Sequence, residues 1–235
     1  MISRSNMIKY CLVGALLAMH WLAFFGAIKV SNVSITLAMM STGAFFGSLL
    51  EPLFFKRRII YYEVLFGIIV IIGLYLIFKV EGHFLTGILL ALLSAFLGAL
   101  FSVFNGKFII KNDASVISFY ELLAGMFCIT IFLLANGSFD ASFFKLSASD
   151  WILILVLASV CTAYAYAASL HVMKWITPYT LMLTTNMEPI YGIILALLIL
   201  GDDEYMSPQF YLGAGIILVT VVANGIIKNT KRIKK

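Results

Sequence analysis

The chain has 235 residues, 63 % of them apolar and 11 % charged, with a net charge of +5 and a mean hydropathy of +1.06. A soluble domain carries about 25 % charged residues, so a water-solvated globule is excluded. The length reads instead as a bundle of membrane helices, each needing about 20 apolar residues to cross the hydrocarbon core.

Eight apolar spans lie between polar breaks, at approximately 10–28, 32–55, 60–79, 84–106, 116–136, 151–173, 179–200 and 209–227. Their long, unalternating runs predict helices rather than barrel strands. Span one follows Arg4 and Lys9, as the core of a signal peptide would, but it is long for that role and no small-x-small site ends it. Span two opens with Ser31-Asn32-Val33-Ser34, where a hydroxyl is placed to cap the helix. Span three starts with Tyr61-Tyr62, which fits an interfacial belt. Span four carries Ser94, Gly98, Ser102 and Gly106 at every fourth position, a stripe that lets another helix backbone come close. The longest connection, 137–150, holds Phe139, Phe143 and Phe144 and is predicted to lie on the outer membrane surface. Span seven opens with Thr177-Pro178-Tyr179-Thr180, where Thr caps and Pro fits the first turn. Cys11, Cys128 and Cys161 all fall inside spans and read as small hydrophobes, with no disulfide framework or metal site.

An even number of spans puts both termini on one side. That side then holds Arg4, Lys9, Lys56, Arg57, Arg58, Lys107, Lys111, Lys174, Lys228, Lys231, Arg232, Lys234 and Lys235, which is 13 of the 16 basic residues. Only Lys29, Lys79 and Lys145 remain for the other. Positive residues stay in the cytoplasm, so both termini are predicted inside. The basic tail from Lys228 to Lys235 is read as part of this topology anchor; a polybasic lipid or nucleic-acid patch is the less favoured reading.

The loop Lys56-Arg57-Arg58 recurs 146 residues later with its charge reversed, as Asp202-Asp203-Glu204. The same shift carries Ser31 onto Thr177, Ser34 onto Thr180, Leu49 onto Leu195, Gly67 onto Gly213 and Ile71 onto Ile217. It crosses five spans, an odd number, so the two copies are expected to face opposite sides of the membrane. Inverted repeats of this kind belong to secondary transporters, whose sites lie near the midplane. The three adjacent acids themselves are expected to form a solvated turn.

Ionisable groups inside a span are costly, so they are the first functional candidates. Glu188 sits near the middle of span seven, with Thr184, Thr185, Tyr191 and Gly192 on the same helical face. Pro189 follows it and has no N–H for the carbonyl of Thr185. The functional reading is a carboxylate that contacts substrate, carries a proton or gates; the structural one is a neutral Glu bonded between helices. Glu51 precedes Pro52 near the end of span two, and pairing with Lys56 or Arg57 is expected. Glu121 is a candidate for lining a cytoplasmic vestibule. His20 falls on Tyr166 under the 146-residue shift, with Trp21 and Tyr164 beside them, as a pseudo-symmetric cavity would require. A lone His on an apolar helix is more often a hydrogen-bonded packing residue. Asn105 and Asn186 are placed to bridge helices. The chain has no HExxH, GxSxG, Walker A, CxxC or dinucleotide-binding pattern, so an enzyme is not expected and no cofactor is called for.

The run TPYTLMLTTNMEPIYGIILALLILGDD, followed by QFYLGAGIILVTVVANG, resembles the signature of the EamA family of the drug/metabolite transporter superfamily. Asp202 stands where that family usually has Glu. The segment VSNVSITLAMMSTGAFFGSLLEPLFFKRRI with LFGIIVIIG resembles the same module, with Thr42-Gly43 in place of Glu188-Pro189. The resemblance implies ten helices in two inverted five-helix halves around a central cavity. Spans four to eight match a whole second half, residues 84–230; spans one to three, residues 1–80, match helices three to five of the first. The first two helices have no counterpart, through a misassigned start, a truncated gene or a shortened variant. The expectation is an all-α integral membrane protein of eight transmembrane helices in an inverted-repeat bundle, in the inner or plasma membrane. It would export small metabolites by alternating access, one half rocking against the other, with the bilayer and a small molecule as partners and no nucleic acid. Proton coupling and a homodimer are compatible with that reading. The alternative is a truncated, non-transporting membrane protein or assembly partner.

Overall fold

The computed structural model describes residues 3–56, 61–140 and 143–233, and every regular element in them is helical. The elements are α1 (Arg4–Val30), α2 (Val33–Met40), α3 (Gly43–Phe55), α4 (Tyr61–Val80), α5 (Leu85–Phe108), α6 (Ala114–Ala135), α7 (Ala148–Val156), α8 (Ala165–Val172), α9 (Pro178–Thr185), α10 (Glu188–Leu200) and α11 (Pro208–Ile233). A π-helical segment, Leu157–Tyr164, joins α7 to α8 in one continuous rod. Among the described residues, seven stretches are long and apolar enough to cross a membrane: Arg4–Val30, Val33–Phe55, Gly82–Phe108, Ala114–Ala135, Ala148–Val172, Pro178–Leu200 and Pro208–Ile227. A shorter apolar stretch, Leu65–Val80, lies in α4. Seven of the eight predicted spans thus have a stretch long and apolar enough to cross a membrane, and the third has only the shorter one. Of the basic loop, Arg57 and Arg58 lie outside the described residues.

Two of the spans are broken in the middle. The first breaks at Ser41-Thr42, between α2 and α3, and the second at Asn186-Met187, between α9 and α10. Shifted by 146, Ser41 falls on Met187 and Thr42 on Glu188, so the breaks coincide in register. Pro189 explains the second break, because it sits in the first turn of α10 where its missing N–H costs nothing. No proline stands at the first. There Ser41 and Thr42 turn their hydroxyls back onto the chain, to the carbonyls of Ala38 (2.6 Å) and Met39 (2.7 Å), and such back-bonding bends helices. Pro52, by contrast, lies inside α3 without ending it.

The chain divides into two units, Met1–Met19 with Phe104–Thr177 and His20–Val103 with Pro178–Lys235. In the larger unit the two broken spans cross. α2 packs on α10, α3 packs on α9, and α4 packs on α11. Small residues set the approach: Met182 of α9 fills the space over Gly47 of α3, and Leu37 of α2 fills that over Gly192 of α10. At the crossing, the Asn186 amide donates to the carbonyl of Ser41 (2.8 Å), so a side chain from one break satisfies backbone freed by the other. Along α4 and α11, Gly73 and Gly213 face each other. A Cβ on Gly213 would stand 2.9 Å from the Gly73 carbonyl oxygen and 2.8 Å from Ile77 Cγ1.

The ends of the crossed helices are capped by carboxylates from elsewhere in this unit. Glu204 accepts from the backbone N–H groups of Val33 (3.0 Å) and Ser34 (2.8 Å) at the start of α2. Glu51 accepts from the N–H of Tyr179 (3.2 Å) at the start of α9. Val33 and Tyr179 are 146 residues apart, so equivalent N–H groups are capped in both spans. Glu81 accepts from Ser207 N–H (3.3 Å) and Oγ (2.8 Å) just before α11. A carboxylate is favoured at each place because the helix N-terminus carries unpaired donors and the positive end of the dipole. All three glutamates are almost fully buried.

Three expectations are corrected here. The acidic turn is not simply solvated, because Glu204 is 3 % exposed and caps α2. Glu51 also reaches the start of α9, a role beyond the expected pairing with its own loop, of which Arg57 lies outside the described residues. The side-chain cap of α2 is Asn32, whose Oδ1 accepts from Ile35 N–H (2.9 Å), while Ser31 donates to the carbonyl of Ala27.

In the smaller unit, α6 packs on α8. Ser147 and Asp150 form a reciprocal capping box at the start of α7. In the loop before it, the rings of Phe139, Phe143 and Phe144 pack on one another with centroids 5.0–5.7 Å apart, and all three remain exposed.

Two stability predictions follow from this packing. Glu204→Ala leaves two buried N–H groups unpaired and is expected to cost about 1–3 kcal/mol, read as a lower midpoint of thermal unfolding in detergent, with Glu204→Gln losing less. Gly213→Leu forces α4 and α11 apart and is expected to cost about 1–3 kcal/mol; the same melt with an unchanged midpoint would contradict the close approach.

Candidate functional site

Glu188 is the first residue of α10, and its position follows from the break. Met187 N–H bonds to the Thr184 carbonyl (3.2 Å), a tightened last turn, and α10 restarts with Pro189 in its first turn. The Glu188 side chain is exposed, and among the described residues it forms no hydrogen bond or ion pair. It opens on a small recess that Phe24, Leu37, Met40, Thr185, Asn186 and Pro189 also line. Thr184 and Thr185 spend their hydroxyl protons on the carbonyls of Thr180 (3.0 Å) and Met182 (2.9 Å), which leaves the hydroxyl oxygens as acceptors. Tyr191, one turn on, is 59 % exposed. A second recess, lined almost wholly by apolar side chains of α2, α10 and α11, lies on the other side of Pro189. Asn186, in the break itself, lines the recess beside Glu188 while its amide is buried against the Ser41 carbonyl.

His20 is also in the larger unit. Its Nδ1 lies 2.8 Å from the Ser94 carbonyl and 2.9 Å from Ser94 Oγ, and Ser94 Oγ donates back to the His20 carbonyl (3.0 Å). The imidazole lies over Gly98, 3.4 Å from where a Cβ would be, and edge-on to Phe101. Ser94 and Gly98 of the small-residue stripe thus make room for His20 and hold it. The ring is engaged in packing α1 on α5, and Trp21 beside it is half-buried.

The remaining candidates are in the smaller unit. Glu121 of α6 is fully buried and so does not line an open vestibule in this conformation. Its Oε2 accepts from Asn105 Nδ2 (3.0 Å) and from the Tyr166 hydroxyl (2.5 Å), while Asn105 also donates to Tyr166 (3.0 Å). Three helices, α5, α6 and α8, meet on one carboxyl group. Tyr164 points elsewhere and is 72 % exposed. The π-helical segment just before α8 adds a residue to the turn, so a regular-helix reading misplaces its tyrosines. Within the larger unit Thr185 lines the same recess as Glu188 and His20 forms a helix contact; within the smaller unit Glu121 and Tyr166 belong to one buried network. The capping roles of Glu204, Glu51 and Glu81 were missed from sequence. A carboxylate near a span end is the signal they leave in the sequence.

This arrangement defines a class: a multi-pass helical membrane protein with broken, crossed spans. The model of the EamA-like transporter family matches residues 85–225, more than half of the chain, and the chain belongs to that family. It is accordingly a membrane transporter-like protein. None of the curated proteins matches it. A solved structure titled "Crystal structure of protein" is similar in fold, with a TM-score of 0.65 at 14 % identity over 94 % of this chain and 78 % of that one.

Proposed function

We propose that the protein is a permease of the inner or plasma membrane that exports small polar or amphipathic metabolites by alternating access, with its substrate site at the α9–α10 break. The observation that carries this is Glu188: an exposed, unpaired carboxylate at a proline-started break inside a membrane-spanning segment. Charge in such a place is retained only for a use. Around it, Thr184, Thr185 and Tyr191 offer oxygen acceptors, and Phe24 and Leu37 offer apolar surface, which suits a ligand carrying an amine on a small apolar body. Broken helices whose half-helix ends face a ligand are the usual architecture of secondary transporters.

The same reading takes the molecule as an inverted repeat of eight spans, residues 1–80 and 84–230, with both termini in the cytoplasm. Supporting it are the two breaks in equal register, the capped N–H groups of Val33 and Tyr179 at equivalent positions, and the 13-to-3 division of basic residues. The crossing binds spans of both repeats into one unit.

Two measurements test this. In proteoliposomes screened with amino acids and other small amines, Glu188→Gln is expected to lower uptake at least tenfold while leaving folding intact; normal coupled transport by this variant would remove the carboxylate from the site. Reporter fusions after Arg58 and after Glu204 are expected to report opposite sides of the membrane, and the same side for both would refute the inverted repeat.

A further inference from the structure

We propose that Glu121 is a proton-binding site, carrying a proton on Oε1 in this conformation while Asn105 and Tyr166 hold Oε2; the use of that proton to drive transport rests on the reading above. The two carboxyl oxygens are in unequal surroundings. Oε2 receives two hydrogen bonds. Oε1 is buried with no partner, as are Asn105 Oδ1 and the Tyr10 hydroxyl. Among the described residues no ammonium or guanidinium pairs with Glu121. The groups that face it are Tyr166 from α8, Asn105 from α5 and Tyr10 from α1, none of them a cation. An ionised oxygen left dry and unpaired is far more costly than a neutral hydroxyl, so the arrangement holds the protonated acid.

The space argues for a proton over a larger cation. Glu121 and Asn105 are both 0 % exposed, sealed from solvent in this conformation. A hydrated sodium or divalent ion needs several oxygen ligands and room for them. Access is closed partly by α1. At Gly14 that helix comes so near α6 that an added methyl would run into the Glu121 carbonyl and Ala124 Cβ. Separation of α1 from α6 admits water; the O–H bond on Oε1 then breaks, the proton passes to that water, and the carboxylate remains with Asn105 and Tyr166 donating to Oε2. Closure requires the proton back. Ionisation and opening are therefore linked at one contact.

The test is infrared difference spectroscopy of the full-length protein in nanodiscs, in heavy water, titrated through neutral pH. The wild type is expected to show the carbonyl stretch of a protonated, buried carboxyl. The band should be missing in Glu121→Gln, retained in Glu188→Gln, and moved in frequency in Tyr166→Phe, which removes one donor from the same group. A Glu121→Gln spectrum that keeps the wild-type band overturns the proposal. Should that variant not fold, an unmoved band in Tyr166→Phe overturns it equally. The measurement needs no substrate, so it stands or falls apart from the transport assay.

Discussion

The constraint on which this structure depends is the cost of a broken helix in a solvent that offers no hydrogen bonds. In the hydrocarbon core each freed N–H or C=O must find a partner within the protein. Two spans here are interrupted midway, and the interruptions are tolerated because they are placed against each other. The Asn186 side chain donates a hydrogen bond to the Ser41 carbonyl, so the second break repairs the first. Crossing the spans also brings the start of α2 beside Glu204 and the start of α9 beside Glu51. The break, the crossing and the caps are thus one solution to one problem, and the glycines at 47, 192, 73 and 213 supply the close approach it needs.

That solution has a mechanical consequence. Breaks at the middle of a span create backbone groups and side chains near the midplane that point neither at lipid nor into a continuous helix. A transporter needs such a place, because a ligand crossing the bilayer must meet polar groups there. The crossed pair supplies it while remaining tied at both ends by buried carboxylates. The family assignment and the broken spans therefore agree at the level of physics: the chain accepts the cost of interrupting two helices, then limits it by capping.

Much of this was legible in the sequence, and for identifiable reasons. Span limits follow from long apolar runs, which the bilayer enforces strongly. The break at Glu188-Pro189 was visible because proline is a backbone signal. The break at Ser41-Thr42 was not, since serine and threonine bend a helix only when their hydroxyls turn inward, and that depends on packing. Glu204 was read as part of a solvated turn because adjacency in sequence says nothing of the helix end it reaches 170 residues away. Likewise the Asn105–Glu121–Tyr166 network joins three helices, and the π-helical turn before α8 shifts the phase that a regular-helix reading assumes. The small-residue stripe at 94 and 98 was correctly assigned to packing, yet its partner, His20, could be known only from the fold.

Five glutamates show how the environment sorts one side-chain type into different tasks. Glu204, Glu51 and Glu81 are buried and receive backbone or hydroxyl donors at helix starts. Those donors and the positive end of the helix dipole hold each carboxyl at its helix start, so they act as struts. Glu188 is open and unpaired, so it retains its capacity for a partner from outside. Glu121 lies between these cases, with one oxygen satisfied and the other dry. None of the struts has a buried oxygen without a partner, and a ligand site would be open; Glu121 is sealed with one oxygen dry, which suits the proton proposed for it. The hydrogen-bond inventory of each carboxyl, more than its depth in the membrane, separates structural acids from those left with something to do.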